Sequence, residues 1–358
     1  MKRNEKKQRN YRNFATDMEN QFIKQFPDLL RGKKLMYVHG FGSSGQSGTV
    51  RRLRTVFPNA TVIAPDLPLH PEEAIALLHQ LCKDEQPDII LGTSMGGMYT
   101  EQLRGFDRIC TNPALCIADT MHDHGLTGTQ QYQNPRLDGV QTFYVDKALV
   151  KEYRIVSERR FEGLSPLSSP SGMEAAEDSQ RVYGLFGDED TVVDTFDLFH
   201  RYYPKAIRFH GEHRMDDHSF MHSVLPVIRW IDDKQEGRER PIIYIGVETM
   251  MEHDGDAKPS CQKAVRQLIE HYQVFFVAPA LSSDLSSYSI TSAWLEKYVN
   301  VPAWGHTVFT NQRRLLYGDY LIESAETRDA MATSIIFGSD TFKTWDDLID
   351  YFDKLGGQ

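Results

Sequence analysis

Three things are scarce in this sequence. Cysteine is one: Cys82, Cys110, Cys116 and Cys261 are the only four, and no two make a C-x-x-C pair. That excludes a disulfide framework and fits a reduced, cytoplasmic protein with buried thiols. Long apolar runs are missing too, since none approaches the roughly 18 residues a membrane span needs. The opening MKRNEKKQRNYRNF is basic with no apolar stretch behind it, which argues against a secretory signal. Positive charge is outweighed, with 40 Lys and Arg against 50 Asp and Glu and a net charge of -10. A nucleic-acid binder relying on a general positive field is thereby disfavoured. What is present is ordinary globular composition, 40% hydrophobic and 25% charged over 358 residues, a length that predicts two domains.

Residues 1 to 33 read as a basic, solvated lead-in and then a helix, with Phe14, Met18, Phe22 and Phe26 at helical spacing. From Lys34 the texture becomes α/β. LMYVHGF, TVIAPDL, DIILGTS, RICTNPA, VYGLFGDED and IRFHGEH are short apolar runs, and amphipathic stretches such as EEAIALLHQLCKD lie between some of them. This alternation predicts a mostly parallel sheet covered by helices, with its chemistry at the carboxyl ends of the strands. The stretch from about 117 to 177 breaks the alternation and reads as a lid-like insertion. The charged, Gly-containing DDKQEGRERP marks a hinge, which sets a first domain at 34–235 and a second at 241–358.

Gly92-Thr93-Ser94-Met95-Gly96 is a G-x-S-x-G pattern between a buried strand and a helix. A sharp strand–turn–helix needs small flanking residues, because the nucleophile is strained and its neighbours pass close by. Read blandly, it is a Gly-rich turn whose serine caps a helix. A serine hydroxyl is inert without a base, and that base needs an orienting group. Downstream, VYGLFGDEDTVVD offers Asp188, Asp190 and Asp194, and RFHGEHRMDDHSF offers His210, His213 and His218. The order Ser, acid, His suits an α/β-hydrolase. Asp190 is the favoured acid, Asp188 its competitor, and His218 the favoured base. The oxyanion donors are expected to be the N–H groups of Met95 and of Phe41, which follows the first strand; His39 reads as structural.

LMYVHGFGSSGQS, APDLP, LGTSMGG, TNPAL, GDEDTVV and HRMDDHSF together resemble the YqiA-like esterases of the α/β-hydrolase superfamily over residues 34 to 232. The resemblance implies a three-layer sandwich and a cytoplasmic hydrolase acting on short acyl esters. The insertion is longer and more polar than in that compact family, and Thr93 stands where serine is expected. Met121-His122-Asp123-His124 and the run of His213, His218 and His222 raise a metal reading. Adjacent loop residues rarely aim at one ion, so no metal and no cofactor is expected.

Residues 241–358 alternate again. VFFVAPALSSDLSSYSITSAWLEKY, FTNQRRLLYGDYLIES and IIFGS followed by FKTWDDL resemble the haloacid-dehalogenase-like 5'(3')-deoxyribonucleotidases, which implies a smaller Rossmann-like domain. Family chemistry uses a D-x-D after the first strand, and here that position reads Gly246-Val247-Glu248. The hydroxyl after the second strand is matched by Val277 and the phosphate-binding lysine by Arg313. Two later carboxylates are matched by Glu323 and Ser324, while Asp319 is retained. The resemblance therefore implies a degenerate, catalytically silent domain. The reading is a serine hydrolase of small-molecule acyl esters, with no nucleic-acid partner and no membrane span. The contrasting reading is a non-catalytic binding protein whose second domain recognises a nucleotide or a protein.

Overall fold

The computed structural model describes residues 28–169, 177–281, 283–299, 303 and 305–355. The expected helix with Phe14, Met18, Phe22 and Phe26 lies outside the described residues. The chain divides into two compact units, Met1–Asp232 and Asp233–Gln358.

In the first unit the apolar runs become strands. β1 (Lys34–Val38) leads through α1 (Gly48–Val56) to β2 (Thr61–Ile63), then through α2 (Pro71–Glu85) to β3 (Ile89–Thr93). α3 (Met95–Gln102) follows, then β4 (Asp107–Thr111). The reasons are local. α2 begins on a proline that needs no N–H partner, carries Glu72 and Glu73 in its first turn, and buries Ala74, Ile75, Leu78 and Cys82 along one stripe. α1 is capped by Ser47, whose side chain accepts from Val50 N–H. β1 and β3 bury four consecutive residues each, as strands covered on both faces must.

After β4 comes the excursion. It holds α4 (Ile117–Asp123), an antiparallel hairpin of β5 (Gly128–Gln131) and β6 (Thr142–Val145), and α5 (Lys147–Ser157). β7 (Val182–Gly187), α6 (Phe196–His200) and β8 (Ala206–Phe209) resume the alternation, and α7 (Leu225–Glu236) follows. The six sheet strands run in the order β2-β1-β3-β4-β7-β8, every neighbouring pair parallel. This is the α/β-hydrolase fold, with helices packed on a parallel sheet. The excursion is built into the core: Phe143, Val145, Leu149, Tyr153 and Val156 pack in one buried cluster with Met36, Val38, Ile90 and Tyr99 of the sheet and its helices.

The second unit repeats the logic on a smaller scale. β9 (Ile242–Gly246), α8 (Cys261–His271), β10 (Gln273–Ala278), α9 (Ser286–Tyr298) and β11 (Thr307–Phe309) come first. β12 (Tyr320–Glu323), β13 (Thr333–Ile336) and α10 (Trp345–Lys354) complete it. Its five strands are parallel in the order β11-β10-β9-β12-β13. α10 starts with a capping box between Thr344 and Asp347 and buries Trp345, Leu348, Ile349 and Phe352. Among the described residues no helix is long and apolar enough to cross a membrane.

Candidate active site

In an open parallel sheet, ligands bind outside the carboxyl ends of the strands where the winding reverses. In the first unit that point lies between β1 and β3, because the chain passes from β1 out to β2 and returns on the other side of β1. His39 to Ser44 follow β1 there, and Ser94 follows β3.

Ser94 sits at φ 54°, ψ -121°, a backbone conformation that costs a non-glycine residue free energy and that a sharp elbow imposes. The flanking glycines answer to close packing. A side chain at Gly92 would collide with Thr100 Oγ1 and the Gly96 carbonyl, and one at Gly96 would run into the Val38 carbonyl. The elbow is thus pressed directly on β1. Its exposed product is Ser94 Oγ, 3.0 Å from His213 Nε2. His213 Nδ1 lies 2.8 Å from Asp190 Oδ2. An ionised carboxylate only accepts, so Nδ1–H donates to Asp190 and the bare Nε2 accepts from the serine hydroxyl. Asp190 Oδ1 accepts two further bonds, from Val192 N–H at 2.7 Å and Val193 N–H at 3.0 Å. Burial alone would raise the Asp190 carboxyl; the bonds from His213, Val193 and Val192 outweigh it and hold the group below its ordinary value.

The histidine at the serine is His213, and the expectation of His218 is corrected. β8 ends at Phe209, and the short turn through His210, Gly211 and Glu212 brings the chain straight back over Ser94. By residue 218 the chain has entered a helical turn, Asp217–Ser219, capped by Asp216, and the His218 side chain is exposed. Asp188, the competing acid, faces elsewhere: its Oδ1 accepts from Gly211 N–H at 3.1 Å and lies 3.3 Å from His210 Nδ1.

Sequence reasoning gave Asn112 no role, although the Asn-Pro-Ala segment stood out. Asn112 is buried, at φ 43°, a conformation asparagine tolerates better than most residues. Its Nδ2 donates to the carbonyls of Glu212 (3.0 Å) and His213 (3.1 Å), and its Oδ1 accepts from Gly187 N–H at 2.7 Å. One amide therefore clamps the histidine loop to the start of the acid loop.

The oxyanion candidates lie on the two flanking loops. Met95 heads α3, so its N–H has no acceptor within the helix. Gly40 passes close enough to Ser94 that a Cβ there would stand 3.3 Å from the serine Cβ, and Phe41 follows it. His39 fixes this loop: Leu67 N–H donates to Nε2 at 3.1 Å, and Nδ1 donates to the Gly40 carbonyl at 2.9 Å. Burial pushes its pKa down to about 4, so it stays neutral at pH 7, its one N–H engaged by the Gly40 carbonyl. The excursion braces the same loop. Gln133 N–H donates to the Gly42 carbonyl at 2.7 Å, Asn134 Nδ2 donates to Ser43 Oγ at 3.2 Å, and the Phe41 ring meets Phe143 edge-on at 5.2 Å. His122 and His124 do not converge: His122 pairs with Asp123 and His124 Nε2 lies 3.2 Å from the Val192 carbonyl. Among the described residues no group of three or more His, Cys, Asp or Glu is placed to hold a metal.

In the second unit the winding reverses between β9 and β12. A side chain at Gly246 would collide with the Glu248 carboxylate. Arg313 grips that carboxylate with two bonds, 2.6 Å from Nη1 to Oε1 and 2.8 Å from Nη2 to Oε2, and lies 3.8 Å from Glu323. Glu323 is fully buried and accepts from Thr327 N–H at 2.8 Å, Thr327 Oγ1 at 2.6 Å and the Ser334 hydroxyl.

Fold and site together define an α/β-hydrolase, with a serine elbow after the sheet's third strand in spatial order and facing loops after its fifth and sixth. The chain belongs to UPF0227, described as an uncharacterised protein family, whose model matches residues 34–224. Solved structures similar to it include a monoacylglycerol lipase from Paleococcus ferrophilus, 15% identical, covering 56% of this chain and 94% of that one with a TM-score of 0.37. Est1E from Butyrivibrio proteoclasticus is 14% identical over 59% of this chain and 90% of its own, with a TM-score of 0.33. A putative 5'(3')-deoxyribonucleotidase of Vibrio phage KVP40 is 24% identical over 127 residues, 34% of this chain and 70% of the phage protein.

Proposed function

We propose that the first unit is a serine hydrolase of carboxylic esters, working through an acyl-enzyme. Ser94 Oγ attacks the acyl carbon while His213 Nε2 takes its proton. His213 then returns that proton to the departing alcohol oxygen, and a water repeats the sequence in reverse to free the acid. Asp190 fixes the imidazole tautomer and stabilises the imidazolium. The N–H groups of Phe41 and Met95 are assigned to the developing oxyanion. The mechanism requires no cofactor. The observation that carries this reading is the unbroken chain from Ser94 Oγ to His213 Nε2 and from His213 Nδ1 to Asp190, at 3.0 and 2.8 Å, on a strained serine facing an open cleft. The part of the excursion from Ile117 to Ser157 is read as a fixed binding wall, which its buried contacts support.

The second unit, taken as a domain of about residues 241–358, is read as having no phosphoryl-transfer chemistry. Gly246 offers no nucleophile, and Arg313 already holds the carboxylate a metal would need. Two measurements test these roles. A fluorophosphonate must label Ser94 and block turnover of a short acyl ester, and an unlabelled protein refutes the hydrolase. Phosphate release from nucleoside monophosphates with magnesium must be absent in the Ser94→Ala protein, and turnover there refutes a silent second unit.

A further inference from the structure

The cleft in front of Ser94 holds about 640 Å³. Its wall is unusual for a chain of net charge -10: among the described residues that line it there is no aspartate or glutamate, and there are two arginines, Arg52 and Arg214. The two differ in what they have left to give. Arg52 is committed, bonded from Nε to Asp217 Oδ1 at 2.7 Å and from Nη1 to the Met215 carbonyl at 3.1 Å, with its Cζ 5.6 Å from the Phe220 ring centre. It latches the histidine loop and cancels the charge of Asp217. Arg214 is exposed, and among the described residues its partner is a neutral one, Gln133 Oε1 at 3.1 Å.

Position decides which part of a substrate meets Arg214. In ester cleavage the imidazole delivers its proton to the alcohol oxygen, so the alcohol portion lies on the His213 side of the serine. Arg214 is the next residue along. The same cleft is also lined by Phe143, Leu126 and Ile117, apolar groups suited to an acyl chain. A guanidinium without a carboxylate partner, in a wall free of acids, favours an anion through paired N–H bonds.

We propose that the preferred substrates are esters whose alcohol portion carries an anionic group, with Arg214 as its counter-charge and specificity determinant. This rests on the ester-hydrolase reading of Ser94. The test uses three esters sharing one short acyl group, whose alcohols end in a neutral hydroxyl, a carboxylate or a phosphate. The expected kcat/KM ratio of anionic to neutral ester is about tenfold or more at low salt, shrinking as ionic strength rises. Arg214→Gln should bring the ratio close to one, and Arg214→Glu should invert it. The carboxylate and phosphate arms rank the two anions against each other. Ser94 labelling with a ratio of one or below in the unsubstituted protein overturns the anion preference alone. A ratio insensitive to both substitutions removes Arg214 from it. Absent labelling together with absent turnover of all three esters fails the hydrolase reading, and this inference with it.

Discussion

The two parallel sheets reverse their winding beside their first strands, β1 and β9, yet the groups gathered at the two reversals are in opposite states. At the first, a hydroxyl, an imidazole and a carboxylate are joined in a line that leaves Ser94 Oγ facing a cleft. At the second, two carboxylates and a guanidinium satisfy one another: Arg313 takes both oxygens of Glu248, while Thr327 and Ser334 close around Glu323. A metal or a phosphate would have to displace bonds already made there. On the proposed reading, reactivity follows from which polar groups are left with capacity to spare, not from the sheet topology that the two units share.

The largest effect expected from breaking that contrast is at the line of three. Ser94→Ala and His213→Ala should each lower kcat/KM for a short acyl ester by a thousandfold or more, and the double variant should lose little beyond either. His218→Ala, on an exposed helical turn, should stay within about twofold of the parent. A damaging His218→Ala beside an active His213→Ala would reverse the assignment.

How much of this was legible in the sequence divides along physical lines. Gly92, Ser94 and Gly96 were readable because an elbow pressed on β1 permits few other residues, while the assignment of the Phe41 and Met95 N–H groups to the oxyanion is a proposal drawn from their position after a strand. Alternating apolar runs gave the parallel sheets. The histidine was not readable to the residue. Three histidines lie within nine positions, and which one returns over Ser94 depends on a turn whose geometry no periodicity encodes. Spacing from Asp190 favoured His218, while the tight turn after β8 delivers His213. Asn112 was hidden for a similar reason, since its three bonds reach residues 75 or more positions away. In the second unit Gly246 was legible in the sequence, but the Arg313–Glu248 pair beside it was not.

Next in size is a pH effect confined to the first reversal. His39 is buried after β1 and its pKa is lowered by burial from 6.5 to about 4. The unfolded chain takes up a proton at this residue near pH 6.5, which the folded protein refuses until about pH 4. Its contribution is thus fully present above pH 6.5 and lost as pH falls toward 4, amounting to about 3 kcal/mol. Denaturant midpoints at pH 7 and pH 4 should show that loss in the parent and a smaller one in His39→Gln. Equal losses in both would mean that this histidine is not held neutral.

Smaller still is the effect of the clamp. Asn112→Ala frees the histidine loop and the start of the acid loop without touching substrate. The expected result is a fall in kcat of about ten- to a hundredfold with little change in KM, the mark of a misplaced group. Labelling of Ser94 by a fluorophosphonate should slow in step. A raised KM with unchanged kcat would instead place Asn112 in substrate binding.

The smallest effect compares the buried glutamates of the two units. Glu101 and Glu323 are both fully buried, but among the described residues only Glu323 meets hydrogen-bond donors on each oxygen. Glu101 Oε1 accepts from Tyr203 Oη at 2.5 Å and Phe161 N–H at 3.1 Å, while its Oε2 has no hydrogen-bond partner among the described residues. Burial raises its pKa in spite of the bonds from Tyr203 and Phe161 and the nearby Arg108. For an acid raised on folding, the stabilisation is complete below the unfolded value and disappears as pH climbs through the folded one. Glu101→Gln keeps an oxygen for Tyr203 and Phe161 and puts a neutral amide where burial opposes ionisation, so stability at pH 7 should change by less than about 1 kcal/mol, toward greater stability. Glu323→Gln replaces one fully engaged oxygen by an NH2 facing donors and should destabilise. Thermal unfolding of the two variants at pH 7 reads the difference, and a Glu101→Gln protein that unfolds earlier than Glu323→Gln would show that the first unit depends on its buried carboxyl as the second does.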